Sequence, residues 1–119
     1  MSRILVAVVV LGGLVSFAVA NSAVGGDEPA MMASPSVVVL AKVDTITVHT
    51  NMALSAVDAG TATLNGIAPK SVFADNLGHL VAKFAIADLA LTPGKVTLTL
   101  SGAFEDGSTF AASDTVTVK

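Results

Sequence analysis

The sequence predicts an all-β domain, an antiparallel β-sandwich of about seven short strands, over residues 37–119. Apolar and polar side chains alternate along residues 43–50, where Ile46 and Val48 face one side, and this period of two indicates a half-buried strand. Turn-forming residues separate such segments at a spacing of about ten residues, which is typical of a sandwich. No long amphipathic helix interrupts the pattern.

The individual elements follow from the same signals. Glycine at position 78 and the Asp106-Gly107 pair supply the turn chemistry that two hairpins need. Residues 85–91 fit either one helical turn or a short connecting strand. The predicted strands are residues 37–40, 43–50, 62–67 with an Asn65-Gly66 turn, 71–74, 80–84, 96–100, 109–111 and 115–118.

The inward-facing positions of these strands define a candidate core. The four Phe residues beyond the N-terminal segment, Phe73, Phe84, Phe104 and Phe110, lie in or beside strands and are expected to fill it. The predicted core consists of Ile46, Val48, Leu64, Val72, Leu80 or Val81, Phe84, Leu98, Leu100, Phe110, Val116 and Val118.

The first twenty residues have the features of a secretory signal peptide. Arg3 precedes an apolar run over residues 4–20, which ends in the small-x-small sequence Ala18-Val19-Ala20, so cleavage is expected before Asn21. The run is just shorter than a typical membrane-spanning helix, and an uncleaved anchor or a buried helix are the alternatives. Either a signal peptide or an anchor places the domain in a secreted, periplasmic or cell-surface location.

Residues 21–36 are expected to be a flexible linker, because they contain Gly25-Gly26, Pro29 and Pro35 and show no clear period. The chain therefore divides into a signal peptide or anchor at 1–20, the linker at 21–36 and the sandwich at 37–119.

Composition excludes several classes of function. The 119 residues carry six basic and nine acidic residues and no Cys, so a disulfide scaffold and a thiolate metal site are excluded. A hydrophobic content of 53% with 13% charged residues argues against intrinsic disorder. So few basic residues do not make a nucleic-acid-binding surface. A membrane is an expected partner only if the N-terminal segment is uncleaved.

The domain resembles immunoglobulin-like modules of secreted and surface proteins of bacteria. The resemblance implies an immunoglobulin-like sandwich with a structural or binding role, and it brings no catalytic residues. It rests on Val43-Asp44-Thr45-Ile46, His49-Thr50-Asn51, Thr63-Leu64-Asn65-Gly66, Ala74-Asp75, Gly78, Leu80-Val81-Ala82-Lys83-Phe84, Thr97-Leu98-Thr99-Leu100-Ser101-Gly102, Asp106-Gly107, Phe110 and Ser113-Asp114-Thr115-Val116.

Candidate metal ligands are few. His49 and His79 are the only histidines, and they lack the spacing and the further ligands of a transition-metal site. Asp75 and Asp106 lie in turns that could meet at one end of a sandwich, which makes them weak candidates for Ca²⁺. Because Asp also favours turns for its own backbone chemistry, we expect no cofactor and treat Ca²⁺ as an alternative.

Catalysis is not expected. No Ser stands in a Gly-x-Ser-x-Gly sequence, and a small sandwich rarely provides the cleft that paired carboxylates need. The absence of Trp and Tyr disfavours stacking platforms for sugars or bases.

One segment suggests self-association. Val37, Val38, Val39 and Leu40 form an apolar, strand-prone run that either serves as the first strand of its own domain or completes a neighbour's sheet. The sequence therefore predicts a non-enzymatic extracellular or cell-surface structural or adhesive module, with self-assembly by strand addition as a further hypothesis. The alternative is a small secreted or periplasmic protein that binds a ligand or Ca²⁺.

Overall fold

The computed structural model describes residues 28–119, which form two four-stranded sheets around one apolar core. This confirms the predicted all-β sandwich. A 3₁₀ turn at Leu54–Ala56 and one short helix, α1 at Ile86–Leu89, connect strands. The strands are β1 Met31–Ser34, β2 Val37–Val38, β3 Thr45–Ala53, β4 Val57–Leu64, β5 Ser71–Ala74, β6 His79–Ala85, β7 Gly94–Phe104 and β8 Thr109–Val118.

The first sheet has the order β1-β3-β6-β5 and is antiparallel throughout, and the second has the order β2-β8-β7-β4. The β2–β8 pair is parallel, so the expectation of a wholly antiparallel sandwich needs one correction. Only Pro35 and Ser36 separate β1 from β2, and the chain crosses from one sheet to the other without reversing its direction. β2 therefore runs alongside β8 in the same sense.

The predicted hairpins and turns are confirmed. β5 and β6 are joined through the turn that contains Gly78, and β7 and β8 through the turn that contains Gly107; both glycines have positive φ, at 83° and 91°. Asn65 and Gly66 also have positive φ, which fits the two-residue return that this dipeptide favours. The segment at residues 85–91 forms the helical turn α1 rather than a strand.

The candidate core is confirmed at every position except Val72, which is half-buried. Leu80 and Val81 are both buried, but Val81 lies on the outer face of the first sheet, outside the central cluster. Phe84 is the largest fully buried side chain. At Gly102 a Cβ atom would come within 2.9 Å of the Phe110 ring and 3.2 Å of the Ala62 backbone, so the closeness of β4, β7 and β8 requires glycine there.

The first strand differs from the sequence-based expectation. The strand β1 lies within the segment expected to be a linker, and it is the edge strand beside β3. Its position is fixed partly by the Ala33 N–H, which donates a hydrogen bond to Asp114 Oδ2 at 2.9 Å. The predicted signal peptide lies outside the described residues. Within residues 28–119, no helix is long and apolar enough to cross a membrane.

Candidate functional site

Three connections lie together at one end of the sandwich, which we call the loop end. They are the 3₁₀ turn between β3 and β4, the β5–β6 turn at residues 75–78 and the β7–β8 turn at residues 105–108. The Leu54 N–H donates to the Gly78 carbonyl at 2.9 Å, and the Glu105 N–H donates to the Ala56 carbonyl at 2.8 Å. The 3₁₀ turn therefore lies between the other two turns and holds both of them.

Asp75 shapes the β5–β6 turn. Its Oδ1 atom accepts hydrogen bonds from the backbone N–H groups of Leu77, at 2.8 Å, and His79, at 3.0 Å. The hydrogen bond from His79 and that from Leu77 hold the pKa of Asp75 below its ordinary value, with the charges of His79 and His49 adding to the effect. The carboxylate is thus a turn-forming group, in keeping with the backbone chemistry of Asp.

Asp106 has the same role in the β7–β8 turn. Its Oδ1 atom accepts hydrogen bonds from the Ser108 hydroxyl at 2.6 Å and from the Ser108 N–H at 2.9 Å. The Ser108 hydroxyl is the main cause of the lowered pKa of Asp106. The structure brings both Ca²⁺ candidates to the loop end, each with one oxygen committed to its own turn. Residues 28–119 contain no group of three or more His, Cys, Asp or Glu placed to hold a metal ion.

Replacing Asp75 with Ala is expected to lower the stability of the domain at neutral pH. The stability of the variant is also expected to change less than that of the wild type as the pH is lowered. Because the pKa of Asp75 is lowered in the folded state, its contribution is complete above the unfolded pKa, near 3.8, and is lost as pH falls through the folded pKa. Thermal unfolding from pH 7 to pH 2 measures this difference. Asp75→Asn, which keeps an acceptor oxygen without the charge, is the matched control. Identical pH profiles for the Ala variant and the wild type would contradict the assignment.

The two histidines line one shallow depression on the first sheet. His49 is exposed on β3 and His79 is half-buried at the start of β6. The depression has a volume of about 280 Å³, and the other residues that line it are Ala30, Met31, Met32, Thr50 and Asn51. The sequence did not predict that these histidines lie close together, because 29 positions separate them and the β3–β6 pairing is irregular between His49 and Ala53.

A row of three apolar side chains and one histidine crosses the outer face of the first sheet, and we call it the apolar row. Met32, His49, Val81 and Phe73 are register partners on β1, β3, β6 and β5 respectively. Met32 is 61% exposed and Phe73 is 42% exposed, with the Lys83 ammonium 5.9 Å from the Phe73 ring centroid. The expectation that Phe73 fills the core is therefore wrong, because the alternation along β5 turns Val72 inward and Phe73 outward.

The segment expected to mediate self-association is part of its own domain in this structure. Val38 is fully buried, Val39 is half-buried, and Val37 and Leu40 are exposed. The Lys119 N–H donates to the Val38 carbonyl and the Leu40 N–H donates to the Lys119 carbonyl, both at 2.8 Å. In these contacts the segment acts as an intramolecular strand, the first of the two possibilities that its sequence allows.

A second concave surface lies at the opposite end of the sandwich, and we call it the end groove. It has a volume of about 370 Å³. No sequence pattern indicates it, because its walls come from the β2–β3 connection and from α1, which are joined by the hydrogen bond from the Ile86 N–H to the Asp44 carbonyl. The groove is lined by Leu40, Val43, Asp44, Ile86, Ala87, Ala90 and Leu91.

Comparison of the chain with protein-family models, with curated proteins and with solved structures gave no match. The strand order, the loop end, the apolar row and the end groove are therefore the features from which function is inferred.

Proposed function

We propose that this domain is an immunoglobulin-like module that acts outside the bacterial cytoplasm as a non-enzymatic structural or adhesive unit. The observation that carries the proposal is the order of the strands. Constant-type immunoglobulin sandwiches place strands A, B, E and D in one sheet and C, F and G in the other. When the strands are lettered in the order in which they occur along the chain, the first sheet, β1-β3-β6-β5, becomes A-B-E-D. In the second sheet, β4, β7 and β8 become C, F and G.

The crossing from β1 to β2 agrees with this assignment. It divides the first strand into a part that pairs with β3 in one sheet and a part that pairs with β8 in the other. One edge of each sheet is thereby formed by the same short stretch of chain. The immunoglobulin-like proposal accounts for both halves as a single first strand.

An adhesive or structural role is supported by the kind of surface that the domain offers. The apolar row presents Met32 and Phe73 on a broad sheet face, and Phe73 belongs to β5, which is an edge strand of only four residues. Partly exposed aromatic side chains on such a face are suited to contact with another macromolecule. In contrast, the Ca²⁺ alternative relies on Asp75 and Asp106, whose Oδ1 atoms already accept two hydrogen bonds each.

Self-assembly by strand addition is part of the same proposal. The segment from Val37 to Leu40 would leave its own sheet and pair with β8 of a neighbour, where Val38 would fill the equivalent core position. The small number of bonds to be exchanged supports this idea, since β2 contains only two residues. The exchange is opposed by the exposure of the Val38 core position, which is fully buried in the closed domain, until a neighbour's segment fills it.

Export of the chain is the test of the proposed location. The full chain, expressed in a bacterial host with its own N-terminus, is expected in the periplasm or the medium, with Asn21 as the first residue. Cell fractionation and mass spectrometry of the purified protein measure both. Ala18→Leu/Ala20→Leu, which removes the small residues of the cleavage site, is expected to leave an uncleaved, membrane-associated form. An uncleaved wild-type chain in the soluble cytoplasmic fraction would refute the proposed location.

A further inference from the structure

The two ends of the sandwich differ in charge. The loop end carries acidic residues and, among residues 28–119, no Lys or Arg, whereas four lysines lie at the groove end together with Asp44 and Asp88. The acidic residues of the loop end are Glu28, Asp58, Asp75, Glu105 and Asp106, and the lysines of the groove end are Lys42, Lys70, Lys95 and Lys119.

The positions of these residues follow from the strand pairings. Glu28 is tied to the end of β3 by the Asn51 amide, which donates to its carbonyl, and Asp58 pairs with Ala103 beside the β7–β8 turn. At the other end, the Lys70 ammonium donates to Thr45 Oγ1 at 2.6 Å, and Lys95 pairs with Thr117. Opposite charges therefore lie at opposite ends of the same strands.

The ends also differ in shape. Leu77 is 79% exposed at the tip of the β5–β6 turn, where polar residues are usual. Its backbone is fixed, because the Leu77 N–H donates to Asp75 Oδ1 and the Gly78 N–H donates to the Asp75 carbonyl at 2.9 Å. The loop end thus presents an apolar projection, on a backbone held by hydrogen bonds, within an acidic surface. The groove end presents a mostly apolar depression, with Asp44 in its lining, on an end that carries four lysines.

We infer that the domain associates head to tail with a second copy of itself, with Leu77 of one copy seated in the end groove of the next. Charge and shape are both complementary in this arrangement, so the inference does not rest on one exposed apolar side chain alone. Because Leu77 is held in a fixed turn, little conformational entropy is lost when it is bound. This inference does not depend on the proposed location or on strand addition.

The geometry sets the form and strength of the assembly. The contacting surfaces differ, so the interface is heterologous, and a contact of this kind extends into an open chain of copies unless the rotation closes a ring. The domain measures 45 × 31 × 20 Å, and the eleven residues of β7 span about 36 Å, so the long axis follows the strands. An end of roughly 31 × 20 Å buries at most about 600 Å² per partner, which belongs to weak, reversible interfaces.

Sedimentation velocity of the purified, processed protein from 1 µM to 1 mM is the test. At low salt the weight-average mass is expected to rise continuously with concentration, and 0.5 M NaCl is expected to weaken the association about tenfold or more, since it screens the end charges. Leu77→Asp is expected to weaken association at least tenfold. Ser113→Asp, a matched control that adds the same charge at an exposed position in the middle of β8, is expected to leave it unchanged.

A mixing experiment distinguishes a head-to-tail contact from other interfaces. Ala87→Glu blocks the end groove at an exposed position, and Leu77→Asp removes the projection, so each variant alone is expected to be monomeric. A mixture still contains one intact projection and one intact groove, and it is expected to form dimers but no longer chains. Unchanged melting temperatures of both variants show that the fold is intact.

A reversible disulfide bond distinguishes head-to-tail association from strand addition. Val37→Cys/Thr117→Cys joins β2 to its own β8 through register partners, in a chain that has no other cysteine. Head-to-tail chains are expected to persist in the oxidised form. Loss of assembly on oxidation, with recovery on reduction, would overturn the head-to-tail inference in favour of strand addition. A wild-type protein that stays monomeric up to 1 mM would overturn it as well, without affecting the proposed extracellular role.

Discussion

Phe84→Ala is expected to destabilise the domain by about 3–5 kcal/mol, because it removes the largest fully buried side chain. Phe84 lies near the end of β6, in the apolar core between the two sheets. Its removal loses apolar transfer free energy and leaves a cavity between two sheets whose strands are fixed by hydrogen bonds. Since small domains have a total stability of about 5–15 kcal/mol, a substantial unfolded population is expected at 37 °C.

Urea unfolding followed by circular dichroism measures the loss. Phe84→Leu, which keeps most of the buried volume, is the matched control and is expected to cost much less. Phe73→Ala, at the exposed phenylalanine on the same sheet, is expected to change stability by less than about 1 kcal/mol. Equal losses for Phe84→Ala and Phe73→Ala would show that the assignment of their faces is incorrect.

Thr50→Val is expected to cost about 1–3 kcal/mol, although valine has nearly the same shape and is more apolar. Thr50 is the one buried polar side chain among the described residues. Its hydroxyl donates to the Leu80 carbonyl at 2.8 Å and accepts from the Met52 N–H at 3.2 Å. It makes these bonds where the pairing of β3 with β6 is irregular, so valine would leave two backbone groups unsatisfied.

Thr50→Ser is the control for this prediction. Serine keeps the hydroxyl and loses one methyl group, so a smaller loss is expected than for valine. Thermal unfolding of both variants at pH 7 separates the polar from the apolar contribution. Greater stability of the valine variant than of the serine variant would mean that the hydroxyl does not support the irregular part of the sheet.

Much of the second sheet can be predicted from the sequence because its determinants are local. The β7–β8 hairpin follows from Asp106-Gly107 and from the alternation that places Leu98, Leu100 and Val116 inward. Each of these signals lies within a few residues of the structure that it specifies. The same holds for the Asp75 turn, whose carboxylate binds the backbone two and four residues further along.

The features that the sequence does not predict depend on contacts between distant residues. β1 has no alternating pattern, and its edge position is supported by Asp114, 81 residues away. The expectation that Phe73 fills the core is wrong because neighbouring residues of a strand face opposite sides, and on β5 it is Val72 that packs against the core. The end groove needs the β2–β3 connection to meet α1, which no local pattern indicates.

At the loop end, local sequence signals predict some features of the candidate site and not others. The turns of Asp75 and Asp106 can be expected to meet at one end of a sandwich, but the 3₁₀ turn that separates them has no clear sequence signal. That turn keeps each carboxylate with its own backbone partners. Leu77 is visible in the sequence beside Gly78, but nothing local indicates that it contacts a second copy. That proposal needs the charges and shapes of the two ends of the folded domain.

The parallel pairing of β2 with β8 has a mechanical consequence. Tension applied between the chain before β2 and the chain after β8 pulls these neighbouring parallel strands in opposite directions along their length. The hydrogen bonds from Thr117 to Ser36, from Lys119 to Val38 and from Leu40 to Lys119 are then loaded in shear and must fail together. An antiparallel pair loaded at one end would instead unzip one bond at a time. The β2–β8 pair is therefore expected to resist stretching between these two points better than an antiparallel pair of the same length.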